Sequence, residues 1–378
     1  MDVTSAPAWI GRGWTGKNEN GAELPMKSTA SLSDRIDYLD SAKGIFIIFI
    51  MMGHHLLGVD PFKRYLYSMG VTPFFLISGF LYAHRKEWEQ PFRQNCIRKI
   101  QKFLYPYVTF SVINLLWNIL YYKVVYPDVA PDIGFPKMIL FTVSTYGYHS
   151  MWYLPCVLWG TLLFFALRRS RHHGLLWAAL AVGTVVFYIL FDKSLTGLGI
   201  ISYIYSYLFR IAVAVVFLYA GSVLYGVFQA LDRRREMLLL LPCLAFSAVV
   251  AVLYQLFPDH FPVANLAAHR LGNPYVYYLA SVSNTTVIVL LCKWFLGKSR
   301  VLAYFGRNSL IVMALHMDAT VNVAWWIVPK LSIGLGETIN SVMVVALQIV
   351  MFPVIIAVLN RYFPFILRYP RRKQHDKM

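Results

Sequence analysis

Long apolar segments separated by short polar ones occupy most of the chain. A membrane-spanning helix needs about 20 consecutive, mostly apolar residues. Segments of this kind lie near residues 43–59, 66–84, 103–125, 150–167, 174–191, 203–229, 237–257, 277–296, 301–319 and 341–360. The second, fourth and ninth of them contain Pro, Ser or His and match the pattern less closely. We therefore predict an all-α fold, a polytopic integral membrane bundle of about ten transmembrane helices.

Polar segments flank this apolar region. Residues 1–34 carry no apolar run ahead of a small-residue cleavage site, so they do not resemble a secretory signal peptide. Residues 361–378 are rich in Lys and Arg. We predict a flexible cytoplasmic tail over residues 1–34, a transmembrane domain over 35–360 and a basic cytoplasmic tail over 361–378.

The distribution of positive charge predicts the orientation of the bundle. The chain has 35 Lys and Arg against 18 Asp and Glu, a net charge of +17, yet only 14% of its residues are charged. With the N-terminus in the cytoplasm, 26 of the 35 basic residues fall in inner segments and seven in outer ones. Because cytoplasmic loops are enriched in Lys and Arg, both termini are predicted to be cytoplasmic. The charge then reflects orientation in a lipid bilayer, and we expect no nucleic-acid partner.

The first apolar segment carries ionisable residues at both ends. Lys43 and His54 are eleven residues apart, a spacing that places them within about 20° of one helix face and roughly 16 Å apart along the axis. Asp40 shares that face, whereas His55 points about 100° away. Ionisable residues at membrane depth are functional candidates by default. We expect this helix to carry chemistry, although Lys43 alone would be an ordinary interfacial anchor.

Two further ionisable residues lie in predicted spans. Arg210 either faces a polar cavity, where it would hold a phosphate or a carbonyl group of a ligand, or lies at the interface if its helix begins at residue 208. His316 is predicted in the outer part of the ninth helix with Asp318 nearby. It is either a component of the site or a hydrogen-bonded packing residue.

Small and aromatic residues in the spans have two interpretations each. Ser78 lacks the G-x-S-x-G context of a serine nucleophile; beside Gly79 it favours close helix approach or lines a pocket. Trp152 and Tyr153 open the fourth span on the outer side. The pattern favours an interfacial aromatic belt, with stacking on a sugar ring as the alternative.

Several chemistries have no support in the sequence. The cysteines are too scattered for a disulfide framework or a zinc site, so we expect no metal; they are Cys96, Cys156, Cys243 and Cys292. Walker A, dinucleotide-binding and HExxH motifs are missing from the sequence. A nucleotide-driven pump, a dehydrogenase and a zinc protease are therefore disfavoured.

The first helix resembles a family motif. Within "DYLDSAKGIFIIFIMMGHH", Lys43 followed by ten residues and His54 resembles the R/K-x10-H motif of the acyltransferase-3 family of membrane acyltransferases. The lysine is typical of its exopolysaccharide sugar O-acetylase branch, which includes the xanthan mannose acetylases. Further similar segments follow in order: "TPFFLISGFLY" at 72–82, "RKIQKFLYPY" at 98–107, "MWYLPCVLW" at 151–159 and "YFGRNSLIVMALHM" at 304–317.

The resemblance implies a reaction. An acetyl group would move from cytoplasmic acetyl-CoA, a substrate and not a bound cofactor, to a sugar hydroxyl of an exopolysaccharide or its polyprenyl-linked repeat unit at a bacterial inner membrane. His54 would be the central acid and base, because an imidazole titrates near neutrality. Lys43 would position the donor, and His316 matches a histidine of this branch. Direct transfer and an acyl-imidazole intermediate both remain open.

The phosphates of CoA require a basic cytoplasmic surface. Arg98, Lys99 and Lys102 lie at positions i, i+1 and i+4 just before the third predicted helix, and Arg35 lies ahead of Lys43. We predict that these residues contact CoA. The competing interpretation is ordinary anchoring by positive charge on the inner side of the membrane.

Three other functions stay open. A polytopic transporter of a small solute or lipid-linked sugar would also bury His and Arg, and would show flux without affinity for acetyl-CoA. Haem ligation by His54 or His55 together with His316 would be visible as haem absorption in the spectrum of the protein. A non-catalytic scaffold would show neither.

Overall fold

The fold is described from a computed structural model, which covers residues 36–56, 60–125, 127–128, 131, 133–195, 198–331 and 336–367. The chain divides into Met1–Ile36 and the unit Asp37–Met378, and all the helices below belong to the second unit. In the described part of the chain there are fourteen α-helices and no β-strand; one isolated antiparallel bridge joins Asn265 and Arg270.

The first seven helices are α1 (Asp37–His55), α2 (Asp60–Tyr67), α3 (Thr72–His84), α4 (Phe92–Leu120), α5 (Phe135–Val143), α6 (Tyr153–Arg169) and α7 (His173–Leu195). The other seven are α8 (Ile200–Ala230), α9 (Arg233–Leu256), α10 (Pro274–Leu291), α11 (Arg300–Arg307), α12 (Ser309–Leu315), α13 (Ala319–Leu331) and α14 (Glu337–Tyr362). Two π-helical turns, Tyr121–Val125 and Cys292–Leu296, extend α4 and α10.

Eight helical segments of the described chain are long and apolar enough to cross a membrane, and α12 with α13 makes a ninth if that bent pair is one span. The eight are Phe62–His84, Phe92–Val125, His149–Arg169, His173–Phe191, Ile200–Ala230, Arg233–Leu256, Pro274–Leu296 and Glu337–Tyr362. The prediction of a polytopic helical membrane protein is confirmed. The predicted orientation, with both termini cytoplasmic, stays a prediction.

The helix predicted as the first span, α1, is not among those eight because its ionisable residues lower its hydropathy. It packs against α2, α3, α10, α11, α12 and α14. Most of its side chains are buried by these neighbours. Its ionisable residues Lys43, His54 and His55 therefore have protein partners, as expected for ionisable groups at membrane depth. By contrast α7 exposes apolar residues along its length, as expected for a helix in contact with lipid.

The ninth predicted span, 301–319, is wrong as a single helix. The chain forms α11, then α12, and bends by 66° between α12 and α13. At the break, side chains from other helices donate to backbone carbonyls. Asn114 Nδ2 donates to the Ala314 carbonyl at 2.9 Å, and Gln348 Nε2 donates to the His316 carbonyl at 3.0 Å. Because the freed carbonyls are satisfied in this way, the break is stable inside the bundle.

Glycines allow two helix pairs to touch backbone to backbone. A β-carbon at Gly79 of α3 would overlap the Leu218 carbonyl of α8, and one at Gly221 of α8 would overlap the Leu76 carbonyl of α3. A β-carbon at Gly306 of α11 would likewise overlap the Asp40 carbonyl of α1. Close helix approach beside Ser78, one of the two sequence interpretations, is therefore observed.

Candidate active site

A cavity of about 360 Å³ lies at the end of α1 that carries His54. Its walls come from α1, α2, the segment preceding α6, α8, residues 264–268, α10 and the break between α12 and α13. Five of the residues singled out in the sequence line it: His54, Trp152, Tyr153, Arg210 and His316. They come from four separate parts of the chain, so only the tertiary fold brings them together.

Three histidines meet beside this cavity. The ring centroids of His54 and His316 are 5.4 Å apart, those of His55 and His316 are 6.0 Å apart, and those of His54 and His55 are 6.2 Å apart. His54 is partly exposed to the cavity, whereas His55 and His316 are buried. His55 does not line the cavity; its Nε2 donates to the His316 carbonyl at 3.2 Å, which ties α1 to the helix break.

The backbone fixes the protonation pattern of His316. Its Nδ1 lies 2.9 Å from the Met313 carbonyl and 3.1 Å from the Val312 carbonyl, so Nδ1 carries the hydrogen and donates. Nε2 then holds a lone pair. This nitrogen is buried and has no hydrogen-bond partner among the described residues. His316 therefore presents an acceptor toward the cavity in a defined tautomer.

His54 has a hydroxyl partner instead. Its Nδ1 lies 2.9 Å from the Tyr67 hydroxyl of α2. Either Nδ1 donates to the tyrosine oxygen, leaving Nε2 as a base, or the tyrosine donates to Nδ1, leaving a hydrogen on Nε2. A change in the Tyr67 hydroxyl direction thus exchanges the two states of the nitrogen available to a substrate.

A third histidine, which the sequence analysis did not select, lines the same cavity. His149 Nδ1 lies 2.7 Å from Asp318 Oδ1, and Asn118 donates to the same oxygen at 2.9 Å. Asp318 is 2% exposed. The backbone of His149 has φ +45°, a conformation uncommon for a residue with a side chain and often found at functional sites. The preceding Gly147, at φ +74°, sits against the backbone of Trp152 and admits no β-carbon.

Arg210 lies well inside α8, which begins at Ile200. The alternative of an interfacial arginine near a helix start is therefore wrong. The side chain lines the cavity and Nε donates to the Ser206 carbonyl at 3.0 Å. The guanidinium carbon lies 4.2 Å from the Tyr146 ring centroid and 5.5 Å from that of Trp152.

The aromatic residues at the start of α6 are part of the cavity wall. Trp152 is 8% exposed and Tyr153 stacks on Phe75 with ring centroids 5.3 Å apart. A belt residue would project into the lipid interface. The belt interpretation that the sequence favoured for Trp152 does not fit this position, because the ring is buried and lies against Arg210 of α8 and Tyr153.

A basic cluster lies near the other end of α1. Lys43 Nζ pairs with Asp40 at 2.6 Å, and Lys99 of α4, although buried, pairs with Glu87. Lys99 also lies 4.1 Å above the Tyr82 ring centroid. Lys102 is exposed and within electrostatic range of both lysines.

Not every predicted site residue reaches the cavity or a ligand-accessible surface. Ser78 and Lys43 do not line the cavity, whose wall on α1 extends from His54 only to Phe46. Arg98 is exposed beside Lys102. Arg35 lies outside the described residues.

The model of the acyltransferase-3 family, described as an acyltransferase domain, matches residues 36–364. The match spans α1 to α14 and contains both the cavity and the basic cluster. No curated protein and no solved structure matches the chain.

Proposed function

This chain belongs to the acyltransferase-3 family, and from that premise we propose that it is an O-acetyltransferase of the bacterial inner membrane. The donor is cytoplasmic acetyl-CoA. The acceptor is a sugar hydroxyl of an exopolysaccharide or of its polyprenyl-linked repeat unit. The observation that carries the proposal is the arrangement on α1: a histidine cluster in a cavity at one end and a basic cluster at the other.

The histidine cluster supports proton transfer at the acceptor hydroxyl. His54 Nε2 takes the hydroxyl proton, and the oxygen attacks the thioester carbonyl. The C–O bond forms as the C–S bond breaks, and the imidazolium returns the proton to the departing sulfur. The Tyr67 hydroxyl, bonded to Nδ1, holds the imidazole ring in place and accepts a hydrogen bond from Nδ1 when Nε2 becomes protonated. His316 Nε2, with its fixed lone pair, accepts a hydrogen bond from a second donor of the bound substrate.

The basic cluster supports the donor side. CoA phosphates are recognised by Lys and Arg, and the exposed members, Lys102 and Arg98, suit this role better than the buried Lys99. The cavity wall follows nine residues of α1, from His54 to Phe46, a rise of about 12 Å. Lys43 lies one turn further. We assign Lys43 to orienting the thioester arm as it passes Phe46.

The acceptor side is the aromatic part of the cavity. Trp152, Tyr153 and Tyr277 contribute ring surfaces to its wall, and such surfaces suit the apolar face of a sugar. Residues 264–268 line the cavity, and the predicted orientation puts them on the outer side of the membrane. An acceptor entering from there would meet His54 and His316.

The test uses purified protein in lipid nanodiscs, acetyl-CoA labelled in the acetyl group, and saccharide acceptors. We expect label to appear on the saccharide together with an equal amount of free CoA thiol. Empty nanodiscs are the control. If wild type neither binds nor consumes acetyl-CoA, the proposal fails.

A transporter is the second candidate, and the broken α12–α13 span favours it because transporters use discontinuous helices at their binding sites. Such folds use two broken helices, one in each half of the protein. The described residues contain one broken helix, α12 with α13. Solute-dependent flux in proteoliposomes without acetyl-CoA turnover would identify this function.

Tyr67→Phe is expected to lower acetyl transfer roughly tenfold, the effect of losing one positioned hydrogen bond of about 1–1.5 kcal/mol. The ring stays, so the loss reports the hydroxyl at His54 Nδ1. Tyr65→Phe is the matched control: it removes a hydroxyl from the same helix that donates to Asn284 Oδ1 at 3.0 Å. Equal turnover by Tyr67→Phe and wild type would remove Tyr67 from the mechanism.

A further inference from the structure

The cavity contains a buried positive charge. Arg210 is 2% exposed, and its Nη2 has no hydrogen-bond partner among the described residues. Its Nε is satisfied within the protein by the Ser206 carbonyl. A guanidinium has five N–H donors in a planar fork. Arg210 lines the cavity, so one nitrogen of this fork lies in the cavity wall without an acceptor among the described residues.

The surroundings do not neutralise this charge. Across the described residues that line the cavity there is no Asp or Glu, and Arg210 is the one Lys or Arg. Two aromatic faces, Tyr146 and Trp152, contribute cation–π attraction. That attraction is weaker than the penalty for burying an unpaired ion. A ligand that supplies a negative oxygen would complete the site.

We propose that Arg210 binds an oxyanion of the acceptor, a carboxylate or a phosphate, and that the acceptor class is an anionic saccharide. That the ligand is a saccharide acceptor rests on the proposed function; that it is anionic rests on Arg210. The two aromatic rings hold the guanidinium so that its fork meets the two oxygens of one anionic group. The hydroxyl to be acetylated then lies toward His54 and His316, which share the cavity.

Equilibrium binding to the wild-type protein in nanodiscs, without acetyl-CoA, tests the proposal directly. The probes are methyl β-glucuronide for a sugar carboxylate, glucose 1-phosphate for a sugar phosphate, and methyl β-glucoside as the neutral counterpart, each followed by saturation-transfer NMR. We expect at least tenfold tighter binding of one or both charged probes. The stronger of the two identifies whether the natural anion is a carboxylate or a phosphate. Equal affinity for all three overturns the proposal.

Variants assign the preference to a residue. Arg210→Gln is expected to bring the ratio of charged to neutral affinity near one, and Arg210→Lys to retain part of it through a point charge. Arg270→Gln is the matched control, because Arg270 is exposed and does not line the cavity; it keeps the full ratio. If folded Arg210→Gln keeps the wild-type ratio of charged to neutral affinity, the proposal is overturned. Should that variant fail to fold, the wild-type comparison and Arg210→Lys still decide.

Failure of this inference is separable from failure of the proposed function. Charge-selective binding without any acetyl-CoA turnover would leave the oxyanion site standing and remove the acetyltransferase proposal. Turnover on neutral and charged saccharides alike, with equal binding, would do the reverse.

Discussion

Replacing His54 with alanine is expected to reduce acetyl transfer by about 10²–10⁴-fold, the usual contribution of a positioned general acid and base. His54 is the histidine of the cluster that is partly exposed to the cavity. Its partner Tyr67 contacts Nδ1 and leaves Nε2 for the substrate. His55 does not replace it directly, because His55 is turned toward the His316 carbonyl.

The measurement is label transfer from acetyl-CoA, with the melting temperature and CoA binding of each variant determined alongside. His172→Ala is the control, since this histidine is exposed and does not line the cavity; it should transfer label at the wild-type rate. His54→Ala should still bind CoA, because the basic cluster lies at the other end of α1. Wild-type turnover by folded His54→Ala would contradict the assignment and direct attention to His149.

The geometry of α1 was predictable from the sequence because it is local. A continuous helix from Asp37 to His55 places Lys43 and His54 on one face, and nothing beyond helical periodicity is needed. The burial of α1 could also be inferred, since a helix this polar is unfavourable against lipid. The site on this helix was thus accessible to sequence reasoning, including the different directions of His54 and His55.

The break after Leu315 was not predictable in the same way. Hydropathy sums local apolar content, and residues 301–319 are apolar enough for one span. The break is stabilised by Asn114 and Gln348, which are distant in sequence, so only the tertiary fold shows it. The same holds for the pair His149–Asp318, whose partners are 169 positions apart in the sequence. The sequence indication for His149 was its position, two residues after Gly147 and just before the apolar segment 150–167.

The basic cluster shows that the sequence alone does not tell which members of a charged helix face are covered. Arg98, Lys99 and Lys102 look equivalent in the sequence, yet Lys99 turns inward to Glu87 and lies over the Tyr82 ring. Spacing on one helix places side chains on a face but does not say which neighbour covers that face. The sequence therefore located the cluster, and the fold divides it into an internal ion pair and an exposed part that suits a phosphate ligand.

Gly221→Ala is expected to destabilise the folded protein by about 3 kcal/mol, the upper part of the range for overpacking. The added methyl meets the Leu76 carbonyl of α3, and a backbone atom cannot rotate away as a side chain does. Helices α3 and α8 would have to separate, and α8 carries Arg210 while α3 packs on α1. The loss should therefore appear both in the melting temperature in detergent and in the yield of monodisperse protein.

Gly226 offers a control within the same helix. A β-carbon there meets nothing within 4 Å, so Gly226→Ala should leave the melting temperature unchanged or raise it, because alanine favours helix over glycine by about 1 kcal/mol. Gly79→Ala presses on the same contact from α3, toward the Leu218 carbonyl. The double variant Gly79→Ala/Gly221→Ala should then lose less than the sum of the single losses, since one separation of the helices relieves both overlaps. Equal melting temperatures for Gly221→Ala and Gly226→Ala would show that α3 and α8 do not touch through their backbones.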